Sequence, residues 1–223
     1  MVFIFDEDAG KEKLRLKKEE FKYLIKVRRH QVGDEVAFRN PCESHILHTY
    51  KIEAIFPREA HLQLLSSKEY VVQHTHLLTL AWCVIDPKSI EKVLPTLNEM
   101  GVAKIVFIYC DRSQKNFKID QKRLHRLLEA SMQQCGRSVF MEFESYPNLE
   151  SFLKDYKDVV VLDFTTTPLD TKERPKTVLL GCEGGFSKEE KELLAHYKVR
   201  RFNTPMILRS ESAAVGVAAK ILL

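Results

Sequence analysis

From residue 2 to about residue 70, apolar positions come in short runs rich in β-branched and aromatic side chains: residues 2–5, 35–39, 46–55 and 61–65. Turn-forming residues separate them, at Gly33-Asp34, Asn40-Pro41 and Pro57, so each run predicts a strand. Near residues 18–29 the period changes. Phe21, Leu24 and Ile25 share one helical face, and Lys22, Lys26 and Arg29 another. The pattern predicts a small β-barrel carrying one helix. Residues 66–75 are polar apart from Val71-Val72 and read as a linker, which divides the chain into domains at 1–70 and 75–223.

Beyond the linker, strands and helices alternate. Residues 77–85 read as a buried strand. Pro87 stands where a helix can begin, and Ile90, Val93, Leu94 and Leu97 recur at helical spacing until Gly101. Further strands are expected at 104–109, 158–164, 177–180 and 199–203, and helices at 120–134, 148–155, from Ser187, and from Ser210 to the end. Ser187 with Glu190 has the spacing of a capping box. Such alternation predicts an α/β domain with a mostly parallel sheet covered on both faces.

The formal net charge of +4 is unevenly spread. Residues 11–29 hold nine Lys/Arg against Glu12, Glu19 and Glu20, a surplus of six. Residues 110–137 hold seven against Asp111, Asp120 and Glu129, a surplus of four, so the rest of the chain is acidic by six. Two basic patches on an acidic background suit a phosphate-bearing partner, although a Lys-rich helix face can also be simply solvated. No apolar run is long enough to span a bilayer, and Asp6, Glu7 and Asp8 stand where an export signal would be basic. Five scattered cysteines without a CxxC pair suit single thiols in a reducing compartment. The expected location is the cytoplasm, with no membrane partner. Cys42, His45 and His48 are loosely spaced like metal ligands but lack a fourth, so no metal is expected.

In open α/β sheets, ligands sit at the carboxyl ends of strands, and three segments there draw notice. They are Thr165-Thr166-Thr167-Pro168, the glycine-rich run from Gly181 to Ser187, and the run from Asn203 to Ala213. Taken singly, each also reads as an ordinary loop: a tight turn at Gly181, a helix-entry charge pair at Arg209 and Glu211. The glycine-rich run is neither a dinucleotide turn nor a phosphate loop.

The string Leu180-Gly181-Cys182-Glu183-Gly184-Gly185-Phe186-Ser187, with Glu190, resembles the GPEGGFS..E motif of the 16S ribosomal RNA uridine-N3 methyltransferases of the SPOUT superfamily. Ile207-Leu208-Arg209-Ser210-Glu211-Ser212-Ala213 resembles their ILR-x-ETA motif. Gln134 to Arg137 is similar to their QxxR, Glu99 to Val102 to their ELGV, and Val27-Arg28-Arg29 to their VLR. The likeness runs through nearly the whole chain. It departs at Cys182 (usually proline), Asn203-Thr204 (Leu-Gly), Thr96 (lysine) and Gln133 (glutamate).

The resemblance implies a PUA-like N-terminal domain, a SPOUT α/β domain with a C-terminal trefoil knot, and a homodimer with active sites near the subunit interface. It implies S-adenosyl-L-methionine as cofactor, held at Phe164, Thr165, Leu180, Gly181, Glu183, Gly184, Gly185, Asn203, Met206, Ile207, Leu208 and Arg209. Methylation of uridine N3 requires loss of the N3 proton and stabilisation of charge on the uracil oxygens. Arg209 is expected to hold those oxygens and Glu211 to assist proton removal. Lys22, Lys26, Arg28, Arg29, Arg112 and Arg137 are expected to grip ribosomal RNA. The alternatives are a SPOUT enzyme acting on transfer RNA or another rRNA nucleotide, and a non-catalytic RNA-binding protein.

Overall fold

A computed structural model describes residues 2–114, 116–170 and 172–223. Lys115, one of the basic residues counted above, lies outside them. The chain forms two compact units, residues 1–73 with 132–139, and residues 74–131 with 140–223.

The first unit is a curled sheet forming a half-barrel. Its strands are β1 (Ile4–Phe5), β2 (Lys13–Lys17), β3 (Glu35–Arg39), β4 (Ile46–Ile55) and β5 (Glu59–Glu69), in the order β1-β3-β4-β5-β2. The pairings are antiparallel except β1 with β3. Register shifts in the β4–β5 ladder at Thr49/Tyr50 and Ile52/Ala54 mark the irregularities that bend a sheet. Leu14, Leu16, Phe38, Ile52 and Leu62 fill its core, together with Phe21 and Leu24 of the helix. Tyr50 is also buried there, its hydroxyl donating to the Lys11 carbonyl at 2.7 Å and accepting from the Gly10 N–H at 2.8 Å. The predicted helix is real but irregular. It starts as α1 (Lys18–Phe21), continues in π-helical turns over Lys22–Val27, and leaves Arg29 with φ of +63°. Strand β2 was not foreseen, and β5 runs on through Glu69, where the sequence suggested a linker.

The second unit carries an all-parallel six-stranded sheet in the order β11-β9-β10-β6-β7-β8. The strands are β6 (Thr79–Cys83), β7 (Lys104–Ile108), β8 (Glu142–Tyr146), β9 (Val160–Leu162), β10 (Thr177–Leu180) and β11 (Lys198–Arg200). Leu80, Trp82, Val106, Val178 and Leu179 are wholly buried, as expected of a sheet covered on both faces. The helices are α2 (Pro87–Met100), α3 (Gln121–Cys135), α4 (Leu149–Asp155), α5 (Lys188–Leu194) and α6 (Ser210–Leu222). The last turn of α3, from Met132, clusters with the first unit. Asp86 caps α2 ahead of Pro87, and Gly101 ends it in the left-handed conformation, φ +95°. There a Cβ would lie 2.7 Å from the Cβ of His74, so glycine is required twice over.

Two cysteines correct the expectation of single thiols throughout. Cys83 ends β6 and Cys110 follows β7, their Cα atoms are 5.6 Å apart, and they are disulfide-bonded. Adjacent parallel strands bring together residues that sequence spacing keeps 27 positions apart.

Candidate active site

The carboxyl ends of β9, β10 and β11 open onto a cavity of about 420 Å³, a size suited to a small ligand. Three chain segments supply its walls. Leu162, Asp163 and Phe164 follow β9. Leu180 to Glu183, with Gly185 and Phe186, follow β10. Arg201, Phe202 and the run from Thr204 to Ser210, with Ala213, complete it. The lining is mainly apolar.

Two of these segments are tied together by hydrogen bonds of forced polarity. The Trp82 indole N–H can only donate, and it gives its hydrogen to Ser210 Oγ at 2.8 Å. The Ser210 hydroxyl in turn donates to the Gly181 carbonyl at 2.6 Å. Thus α6 is fastened to the glycine-rich loop at its first residue. The loop closes on itself through Gly185 N–H to Cys182 O at 2.9 Å, with Gly185 at φ +68°. The Cys182 thiol faces the Gly185 carbonyl at 3.5 Å, and burial pushes it above its ordinary range. The loop then enters α5 through the predicted capping box. Ser187 Oγ accepts from the Glu190 N–H at 3.1 Å, and the Glu190 carboxylate accepts from the Ser187 N–H at 2.9 Å. Glu190 is buried and also accepts from the Asp111 N–H at 2.9 Å, while Ser187 Oγ donates to Asp111 Oδ2 at 2.6 Å.

Among the residues singled out in the sequence, Phe164, Leu180, Gly181, Glu183, Gly185, Met206, Ile207, Leu208 and Arg209 line the cavity. Thr165, Gly184 and Asn203 neighbour it in sequence without lining it. Arg209 is 83% exposed at its side chain and sits 4.0 Å from Glu211, which is 16% exposed. Glu211 does not line the cavity, and its Oε2 is buried without a hydrogen-bond partner among the described residues. Asp163 is a carboxylate on the wall that the sequence reading missed, 3.5 Å from Lys191 Nζ. Large apolar side chains stand exposed on the same loops, Phe164 at 78% and Ile207 at 81%.

The family resemblance now has independent support. The family model for the RNA methyltransferase domain matches residues 73–222. A Helicobacter pylori protein (strain J99) named ribosomal RNA small subunit methyltransferase E is 36% identical over 223 residues, covering 98% of each chain. The chain belongs to the ribosomal RNA small subunit methyltransferase E family. Solved structures share the fold across the whole length. A Legionella pneumophila methyltransferase in complex with S-adenosylmethionine aligns with a TM-score of 0.75 at 23% identity, covering 98% of this chain and 95% of that one. A Neisseria gonorrhoeae ribosomal RNA small subunit methyltransferase E bound to S-adenosylmethionine aligns at 0.73 and 16% identity, with the same coverage.

The basic residues divide into three kinds. Lys22 and Lys26 are exposed on the irregular helix of the first unit, and Arg28 and Arg29 are exposed just past its end. Lys26 lies over the Phe21 ring, and Arg28 lies over Tyr23 while donating to its hydroxyl at 2.8 Å. Arg112 is exposed in the second unit but donates to the Gly184 carbonyl. Arg137 departs from expectation. It is 5% exposed, its Nε donates to the Val139 carbonyl at 2.6 Å, and burial lowers its pKa to about 10. A guanidinium so enclosed is not presented to a phosphate by the single chain. Among the described residues, no group of three or more His, Cys, Asp or Glu is arranged to hold a metal.

Proposed function

We propose that this protein methylates N3 of a uridine in small-subunit ribosomal RNA, using S-adenosyl-L-methionine bound in the cavity at the ends of β9, β10 and β11. The observation that carries the reading is that cavity itself, with its mainly apolar walls and the acidic residues Asp163 and Glu183 among its lining. Apolar walls suit an adenine ring, and carboxylates suit a cationic sulfonium and ammonium. Relatives named for the same reaction class, two of them solved with the cofactor, point the same way.

When bound, the cofactor would supply an electrophilic methyl group for transfer to N3. The chain's contribution is positioning and proton handling. Arg209, at the cavity wall with its side chain exposed, is suited to hold the uracil oxygens as negative charge spreads onto them. Glu211 stands beside Arg209 rather than on the cavity wall, with one oxygen buried and unpartnered among the described residues, and is the carboxylate we assign to assist removal of the N3 proton. A base within a duplex cannot reach such a pocket, so the target uridine is unpaired or flipped out. Lys22, Lys26, Arg28 and Arg29 are then phosphate contacts that sequence-independent affinity requires.

A homodimer is part of the same reading, because Phe164 and Ile207 leave apolar surface beside the cavity that a second copy would cover. So is the trefoil knot: β11 lies beyond β9, and α6 returns to pack on α2 and β10. Among the described residues, no helix is long and apolar enough to cross a membrane; it is the proposed ribosomal RNA substrate that assigns the reaction to the cytoplasm. The deciding experiment is incubation of small subunits from a strain lacking the gene with purified protein and the cofactor, followed by mass mapping of the rRNA. One added N3-methyluridine is expected. A methyl group on another base, on transfer RNA only, or no transfer with intact cofactor binding would overturn the reading.

A further inference from the structure

The glycine-rich loop has one anchor that neither the capping box nor Ser210 supplies. Glu183 and Gly185 line the cavity, while Gly184 between them does not. Its carbonyl instead accepts a hydrogen bond from Nη1 of Arg112, in the loop that follows β7. The arginine stem lies flat against the glycine: a Cβ at Gly184 would sit 3.2 Å from Arg112 Cδ and 3.4 Å from its Cβ. The base of this side chain is itself held. Asp111 is pinned to Glu190 and Ser187 at the start of α5, and the Ser113 N–H donates to the Cys110 carbonyl at 3.0 Å. The guanidinium therefore reaches the loop from a fixed platform, although it is exposed to solvent.

We infer that Arg112 is a positioning residue for the cofactor loop, acting through the Gly184 carbonyl rather than solely as a grip on RNA phosphate. The inference rests on the reading of the cavity as the S-adenosylmethionine site. A charge-assisted hydrogen bond to a carbonyl is stronger than a neutral one, and the segment it holds is otherwise a tight turn with a left-handed glycine. Loss of the donor frees the peptide between two wall residues, so cofactor affinity falls even when no RNA is present.

The test is calorimetric titration of the full chain with S-adenosylmethionine, without RNA, for the wild type, Arg112→Met and Arg112→Lys. Methionine keeps the stem against Gly184 and removes every donor, and lysine restores one. About tenfold weaker binding is expected for Arg112→Met, and a return to within about threefold for Arg112→Lys. Melting temperatures should stay together, since the side chain is exposed. Gly184→Ala, which displaces the stem, should also weaken binding. Wild-type affinity in Arg112→Met, with a raised KM for RNA alone, would overturn the inference and leave the residue a phosphate contact. Absence of binding by the wild type would instead overturn the reading of the cavity, and the inference with it.

Discussion

Ser210 is the residue on which the two long walls of the cavity meet. Trp82 has only a hydrogen to give and the Gly181 carbonyl only lone pairs to offer, so a hydroxyl is the group that satisfies both. Ser210→Ala should strand the buried Trp82 N–H, release the half-buried Gly181 carbonyl and cost about 1–3 kcal/mol in stability. Urea denaturation would measure that loss, and Ser210→Thr should recover most of it; an alanine variant as stable as the wild type would contradict the relay. Buried His48 supports a second prediction. Its Nδ1 meets Ser67 Oγ at 2.8 Å, and its Nε2 has no partner among the described residues. Burial pushes the imidazole below its ordinary value of 6.5, Arg39 adds to the effect and Glu43 opposes it. The unfolded chain then takes up a proton at a pH where the folded chain does not, so stability falls as pH drops through 6.5. His48→Gln should flatten that slope, read as the urea midpoint at pH 7.5 against pH 5.5. Equal slopes would remove His48 as the cause.

At the scale of elements, the strands easiest to read were those whose cores are apolar. The buried run around β6 and the Pro87–Gly101 limits of α2 follow from composition, capping and the left-handed glycine. Strand β2 escaped notice for a physical reason. In Lys-Leu-Arg-Leu-Lys the buried positions are Leu14 and Leu16 alone, and three cations draw attention to charge rather than to alternation. Edge strand β8 escaped similarly, with Glu142, Glu144 and Ser145 among its five residues. The cavity was legible as loops but not as contacts. Trp82 and Ser210 are 128 positions apart, and no periodicity links them. Asp163 was passed over because a single acid after a strand has no pattern around it. For α5, Ser187 is both N-cap and partner of Asp111, so Ser187→Ala should cost about 1–2 kcal/mol in a denaturant titration. A change near zero would mean that Glu190 alone suffices.

For the whole molecule, the polarised charge read from the sequence becomes a set of exposed cations on the first unit's helix and just past its end. If those cations meet phosphates, affinity for RNA should fall steeply with salt. Arg28→Ala and Arg29→Ala should each weaken binding and make the log–log salt slope shallower by about one contact, on the order of 0.7–0.9. Filter binding across a salt series measures both quantities, and an unchanged slope would exclude these side chains as phosphate contacts. The five cysteines give a further whole-chain readout. Cys42 and Cys135 are exposed, Cys182 is buried, and Cys83 is joined to Cys110. A small alkylating reagent applied to native protein should therefore mark Cys42 and Cys135 first, which peptide mapping would reveal. Rapid native labelling of Cys83 or Cys110 would contradict the pairing.

Every residue on the cavity wall lies between Leu162 and Ala213. During synthesis, the half-barrel and the strands from β6 to β8 emerge before any part of that wall exists, and the helix that fastens the glycine-rich loop emerges after both segments it must meet. A growing chain can thus form the half-barrel and three of the six strands of the parallel sheet before the cavity has any wall. A ligand of that cavity can therefore stabilise the finished fold but cannot template its early steps.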